Sequence, residues 1–152
     1  MKRGLFVCVL IITLASVGNV WAEKSVGLTL AQVQADRRAI IEATVEPSPQ
    51  QAEDFWQTYW VYRGRVGVLN DRTVKVIEEY KASHASLTDD RAAALVNEML
   101  EIEQERSELK QEYVKKFQKI LIPKQVVRWY QTENKMDAVI RAAMAVSIPF
   151  DS

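Results

Sequence analysis

His84 is the only histidine and Cys8 the only cysteine in 152 residues, so side chains able to move a proton, hold a metal or attack a substrate are scarce. A metal site or a general base needs partners, and His84 has no second histidine, HExxH or ExxH pattern around it. It is expected on the surface, in a turn. Gly64-Arg65-Val66-Gly67 lacks both the spacing of a phosphate loop and its following Lys-Ser/Thr. Glu98, Glu101, Glu105 and Glu108 recur at spacings of three, four and three, and such a stripe would hold a divalent cation only with ligands from other helices. It is expected instead as a solvated flank meeting Arg65, Arg72 or Lys75 on a neighbouring helix. No enzymatic activity, catalytic residue, metal or cofactor is therefore expected.

Binding is the chemistry that remains. "FWQTYWVY", residues 55–62, has five aromatics in eight positions. Phe55, Tyr59 and Tyr62 share one helix face, with Trp56 and Trp60 about 100° to the side. Together with Trp129 and Tyr130 they either complete a core where helices meet or form an apolar surface rimmed by charge, as at protein-binding sites. Arg63, Arg65, Lys115 and Lys119 are the candidate rim. Lys115, Lys116, Lys119, Lys124 and Arg128 gather around one helix end, where cations suit the helix dipole and could also meet an acidic partner or lipid headgroups.

The elements that position these residues are legible as helix punctuation. Thr29 with Gln32 fits a capping box, with Leu28 and Val33 as the staple. Ser48-Pro49-Gln50-Gln51 repeats that grammar with proline at the first helical position, Thr88 precedes two acids, and Ile122-Pro123-Lys124-Gln125 opens a last segment. Helices are predicted over 29–44, 49–83, 89–121 and 123–146. Ala52, Phe55, Tyr59, Tyr62, Val66, Leu69, Thr73, Val76 and Tyr80 alternate spacings of three and four. Ala92, Leu95, Met99, Ile102, Leu109 and Tyr113 do so in the next segment, with Arg106 interrupting. The fold class is all-α: an elongated four-helix arrangement around a long central antiparallel hairpin, each arm about 50 Å long. Gly64 and Gly67 mark either a bend or close helix approach within a continuous second helix, the reading preferred here, or a break near Gly67 to Asp71.

Met1-Lys2-Arg3, the apolar run Leu5 to Ala15 and Val20-Trp21-Ala22 read as a secretory signal peptide, residues 1–22, cleaved after Ala22. The run is too short for a permanent membrane anchor. The mature chain, residues 23–152, is read as one helical domain of the periplasm that has no cysteine and relies on apolar burial. Losing Lys2 and Arg3 from 20 cations leaves 18 against 20 acids, a balance that argues against nucleic acid. A helix pair this long with two shorter covering helices favours a homodimer.

Leu28-Thr29-Leu30-Ala31-Gln32 matches L-T-x-x-Q, and "PSPQQ" (47–51) and "LIPKQ" (121–125) match it in part. With the signal peptide and helical chain, these motifs resemble the Spy/CpxP-like group of periplasmic LTxxQ proteins over residues 28–145. The resemblance implies an ATP-independent chaperone or envelope-stress protein, commonly a dimer with a concave surface. Its zinc-binding members use histidines absent here. The expected function is binding of unfolded clients through Trp56, Trp60, Trp129 and Tyr130, with Arg63, Arg65, Lys115 and Lys119 as the charged rim. The alternative is a dedicated interaction protein that modulates one envelope partner, such as a sensor kinase domain.

Overall fold

A computed structural model describes residues 29–148. The expected signal peptide, the staple residue Leu28 and the tail from Pro149 lie outside the described residues. Four helices follow one another: α1 (Leu30–Val45), α2 (Pro49–Ser83), α3 (Asp89–Phe117) and α4 (Pro123–Ala145), with a single 3₁₀ turn at His84–Ser86 between α2 and α3. No strand occurs among the described residues, and the fold is all-α.

Each helix begins where side chains can satisfy its first amides. The Thr29 hydroxyl accepts from Gln32 N at 3.2 Å, and Gln32 Oε1 accepts from Thr29 N at 2.9 Å, which closes the box. At α2 and α4 only half of it forms: Gln51 Oε1 takes the Ser48 amide at 2.9 Å and Gln125 Oε1 the Ile122 amide at 3.2 Å. Isoleucine has no oxygen with which to return the bond. Three helix ends fall within a residue of expectation, but α3 stops at Phe117 rather than 121. Pro123 disfavours a helical residue before it, and Ile122 is extended at φ −71°, ψ 156°. The turn must therefore be made earlier, closed by Leu121 N to Phe117 O at 2.8 Å.

Residues ascending α2 meet residues descending α3. Arg65 pairs with Glu112 at 2.6 Å, Arg72 with Glu105 at 2.6 Å and Glu98 at 2.8 Å, and Glu79 with Arg91. α4 returns along α3, with Lys110 on Asn134 at 2.7 Å and Arg141 on Glu103 at 3.7 Å. α1 lies against α4 through Arg37 and Glu46. The expected seam of α2 is buried from Phe55 to Val76, and Leu95, Ile102, Leu109, Tyr113 and Phe117 face it from α3. Arg106, the interruption, is buried as well, with no ion pair among the described residues. α2 is helical throughout, so it does not break at Gly67. Close helix approach does not explain the glycines either, since a Cβ at Gly64 or Gly67 would meet no atom within 4 Å.

Candidate functional site

The centre of the molecule is polar as well as aromatic. Trp129 is wholly buried, its ring 4.4 Å from that of Phe117 and 5.4 Å from that of Tyr62, with Phe55, Tyr59 and Tyr113 completing the cluster. One and two turns beyond Trp129 on the same face of α4, Glu133 and Asp137 enter the core. Glu133 accepts from Tyr59 Oη at 2.7 Å, Arg37 Nη1 at 3.1 Å and Arg63 Nη1 at 3.1 Å. Asp137 lies 3.7 Å from Arg63 Nη1, while Lys110 Nζ stands 3.1 Å from its Oδ2 without the alignment of a hydrogen bond. All four helices contribute to this network. α1 departs from helical geometry at Asp36, beside Arg37.

Burial opposes the charge of Arg37, but the Glu133 carboxylate, with Tyr59 and Asp137, outweighs it and holds the guanidinium above its ordinary value. The Tyr59 and Tyr62 hydroxyls are pushed up first by burial and then by Glu133. Both phenols therefore stay protonated over the physiological range, and Glu133 has its donors in place. The arrangement locks helices together, since removing either sign would strand the other in the core.

An internal repeat relates the start of α2 to the start of α4. Pro49, Gln51, Gln57 and Thr58 recur 74 residues later as Pro123, Gln125, Gln131 and Thr132, and the aromatic pair Phe55-Trp56 recurs as Trp129-Tyr130. Equivalent positions meet: Gln51 with Gln125 at 3.2 Å, Tyr59 with Glu133, and Arg63 with Asp137. Gln51 Nε2 also donates to Ile120 O at 3.0 Å, and Gln125 Nε2 to Glu46 O at 2.8 Å. The glutamines that cap α2 and α4 thus tie the two loops to each other.

The residues expected to form one binding surface are dispersed. Trp129 is core, and Arg63 is engaged with the buried carboxylates rather than forming a rim, because Glu133 and Asp137 need a cation there. Trp56 is half-buried beneath Arg38, 4.7 Å from its ring centre, and stacks on Trp60, which is 45% exposed. Arg65 lies on the α2–α3 flank with Glu112. Tyr130, 38% exposed, and Lys115 share a hollow between α3 and α4, and Lys119 is exposed in the turn that follows α3. His84 is exposed, its Nδ1 3.0 Å from Lys81 O. The acidic stripe meets Arg72 as expected, whereas Arg65 chooses Glu112. No group of three or more potential metal ligands occurs among the described residues, and no helix there is long and apolar enough to cross a membrane.

Another apolar surface was not anticipated. Near the far end of the α2–α3 pair, Val76, Tyr80, Leu95, Val96, Met99 and Leu100 line an open groove of about 300 Å³, with Ile148 at its edge. Val96 is 59% and Leu100 63% exposed. Leu95 and Met99 were assigned to the seam; the signal for the groove lay in the adjacent Val96 and Leu100, which widen the apolar stripe beyond what α2 can cover. Comparison with family models, curated proteins and solved structures finds no match for this chain.

Proposed function

We propose that the protein is an ATP-independent, chaperone-like binder of unfolded polypeptide segments in the periplasm, of the kind its resemblance to the Spy/CpxP-like group implies. The observation that carries this reading is the open groove with Val96 and Leu100 exposed. A well-filled aromatic core coexists with aliphatic side chains left in water, and such a patch gains free energy by covering apolar chain. Trp60 adds a second exposed contact on the α1–α2 side. Arg72 and Glu98 line a separate charged hollow that shares Val76 and Leu95 with the groove, so charge lies close to the apolar surface. A homodimer belongs to the same reading, because the uncovered aliphatic row offers a surface to a second copy.

Light scattering of a thermally unfolding client, without ATP, tests the reading. The mature chain is expected to suppress aggregation, and Leu100→Glu to abolish suppression with its helical circular dichroism and melting temperature unchanged. Wild-type protein that leaves several unrelated clients aggregating would overturn it. The alternative, one dedicated envelope partner, draws on the one-signed charge of the α3–α4 corner. A single stoichiometric partner in a pulldown, with no effect on clients, is the outcome that selects it.

A further inference from the structure

Residues 113–132 contain five cations, Lys115, Lys116, Lys119, Lys124 and Arg128, and no aspartate or glutamate. Two are already engaged: Lys116 lies 2.8 Å from Glu112 and Arg128 2.8 Å from Glu46. Lys115, Lys119 and Lys124 are exposed and make no ion pair among the described residues. Each directly follows a residue that lines a groove of about 560 Å³, namely Val114, Gln118 and Pro123, and Leu121, Val126, Val127 and Tyr130 complete its apolar wall. Past Val114 and Tyr130 it continues into a hollow of about 400 Å³ edged by Lys110 and Lys115. Val127 is largely exposed, although Val126 before it and Trp129 after it are buried.

We propose that this groove docks a segment of another polypeptide that carries aspartate or glutamate beside aliphatic or aromatic side chains. The inference rests on the reading of the protein as a binder of polypeptide segments, and it specifies the class of segment and where it lies. An apolar segment without acids would cover the floor but desolvate the lysines unpaired, at a cost. A segment with acids and no apolar side chains would meet the lysines yet leave the floor wet. Only the combination satisfies both. The concave floor suits a ridge of side chains rather than a flat bilayer, and complementary charge also raises the rate of encounter.

Fluorescence anisotropy with a labelled synthetic amphipathic peptide of glutamate, leucine and alanine tests the inference. Binding is expected, with affinity falling as salt rises. Peptides with lysine for glutamate, or serine for leucine, should bind at least about tenfold more weakly. Lys115→Gln with Lys119→Gln and Lys124→Gln, and separately Val127→Ser with Tyr130→Ser, should each weaken binding about tenfold with the helical signal retained. Wild-type affinity in both variants overturns the inference. So does capture of phosphatidylglycerol vesicles in place of the peptide, or self-association that the lysine substitutions abolish, which would give the groove to a second copy. Client scattering in parallel separates the two proposals. If clients are protected but the peptide does not bind, the inference alone falls; if the peptide binds at the groove but no client is protected, the chaperone reading alone falls.

Discussion

Residues 39–58 and 113–132 lie one repeat apart and carry opposite charge. The first stretch has four acids, Glu42, Glu46, Glu53 and Asp54, and no cation; the second has five cations and no acid. Their shared features are those that hold a corner together: proline at the helix start, the capping glutamine and a large buried aromatic, Phe55 or Trp129. Their differences fall where the two halves meet or where they face water. At the meeting positions Tyr59 faces Glu133 and Arg63 faces Asp137, donor against acceptor. Two identical halves would have set like against like there. The exposed charge differs in sign between the two stretches, whereas the charge at the junction is matched in pairs.

The largest expected effect comes from breaking the junction. Glu133→Ala leaves Arg37 and Arg63 in the interior without their carboxylate and should cost about 3–5 kcal/mol, read as a fall in the urea midpoint. A loss below about 1 kcal/mol would mean that the pairs are solvated, and the contrast between junction and surface would fail.

Sequence patterning revealed one kind of position and not the other. Helix starts were readable because capping is local: Thr29, Ser48, Thr88 and Pro123 announce themselves within four residues. The α2 seam was readable because its residues are apolar at helical spacing. Glu133 and Asp137 were not, although they continue the stripe Val126, Trp129, Met136, because a carboxylate on an apolar face is interpretable only once its cations are known. Those cations are far off in sequence, Arg37 by 96 residues. Arg63 was assigned to an exposed rim for the same reason, since charge implies water until a partner is found. The flank of α3 was legible in type but not in partner: Arg72 met its glutamates, whereas Arg65 went to Glu112, a choice that depends on helix register.

Alkaline pH tests the phenols of the junction next. The folded-state values of Tyr59 and Tyr62 lie above the ordinary 10.0, so above pH 10 the native state retains protons that the unfolded chain releases. Their contribution is therefore full below that pH and is lost as pH rises, at about 1.4 kcal/mol per pH unit for each phenol. Tyr62→Phe should halve this slope with little effect at neutral pH, because its hydroxyl has no hydrogen-bond partner. Urea midpoints measured across the alkaline range would give the slope. An unchanged slope in the variant would place Tyr62 in contact with water.

The glutamine pair probes the symmetry itself. Gln51 and Gln125 each cap a helix, bond each other and reach across to the opposite loop. Gln51→Ala and Gln125→Ala should each cost about 1–2 kcal/mol. The double variant should cost less than the two losses combined, because the shared bonds are already gone in either single variant. Strict additivity in the double-mutant cycle would reduce each glutamine to a cap for its own helix. Unequal single effects would show which loop depends more on the other.

The smallest effect concerns a place where the repeat differs away from the junction. Gly64 on α2 corresponds to Ala138 on α4, one repeat later. Gly64 is helical and exposed, and a Cβ there would meet nothing within 4 Å. Alanine at that position adds no clash and narrows the unfolded ensemble, so Gly64→Ala should stabilise the protein by about 0.5–1 kcal/mol. A raised melting temperature would mean that α2 tolerates the residue its counterpart in α4 already has. A lowered one would show that α2 needs the conformational freedom of glycine at this point, and the two helices would then differ in backbone behaviour as well as in charge.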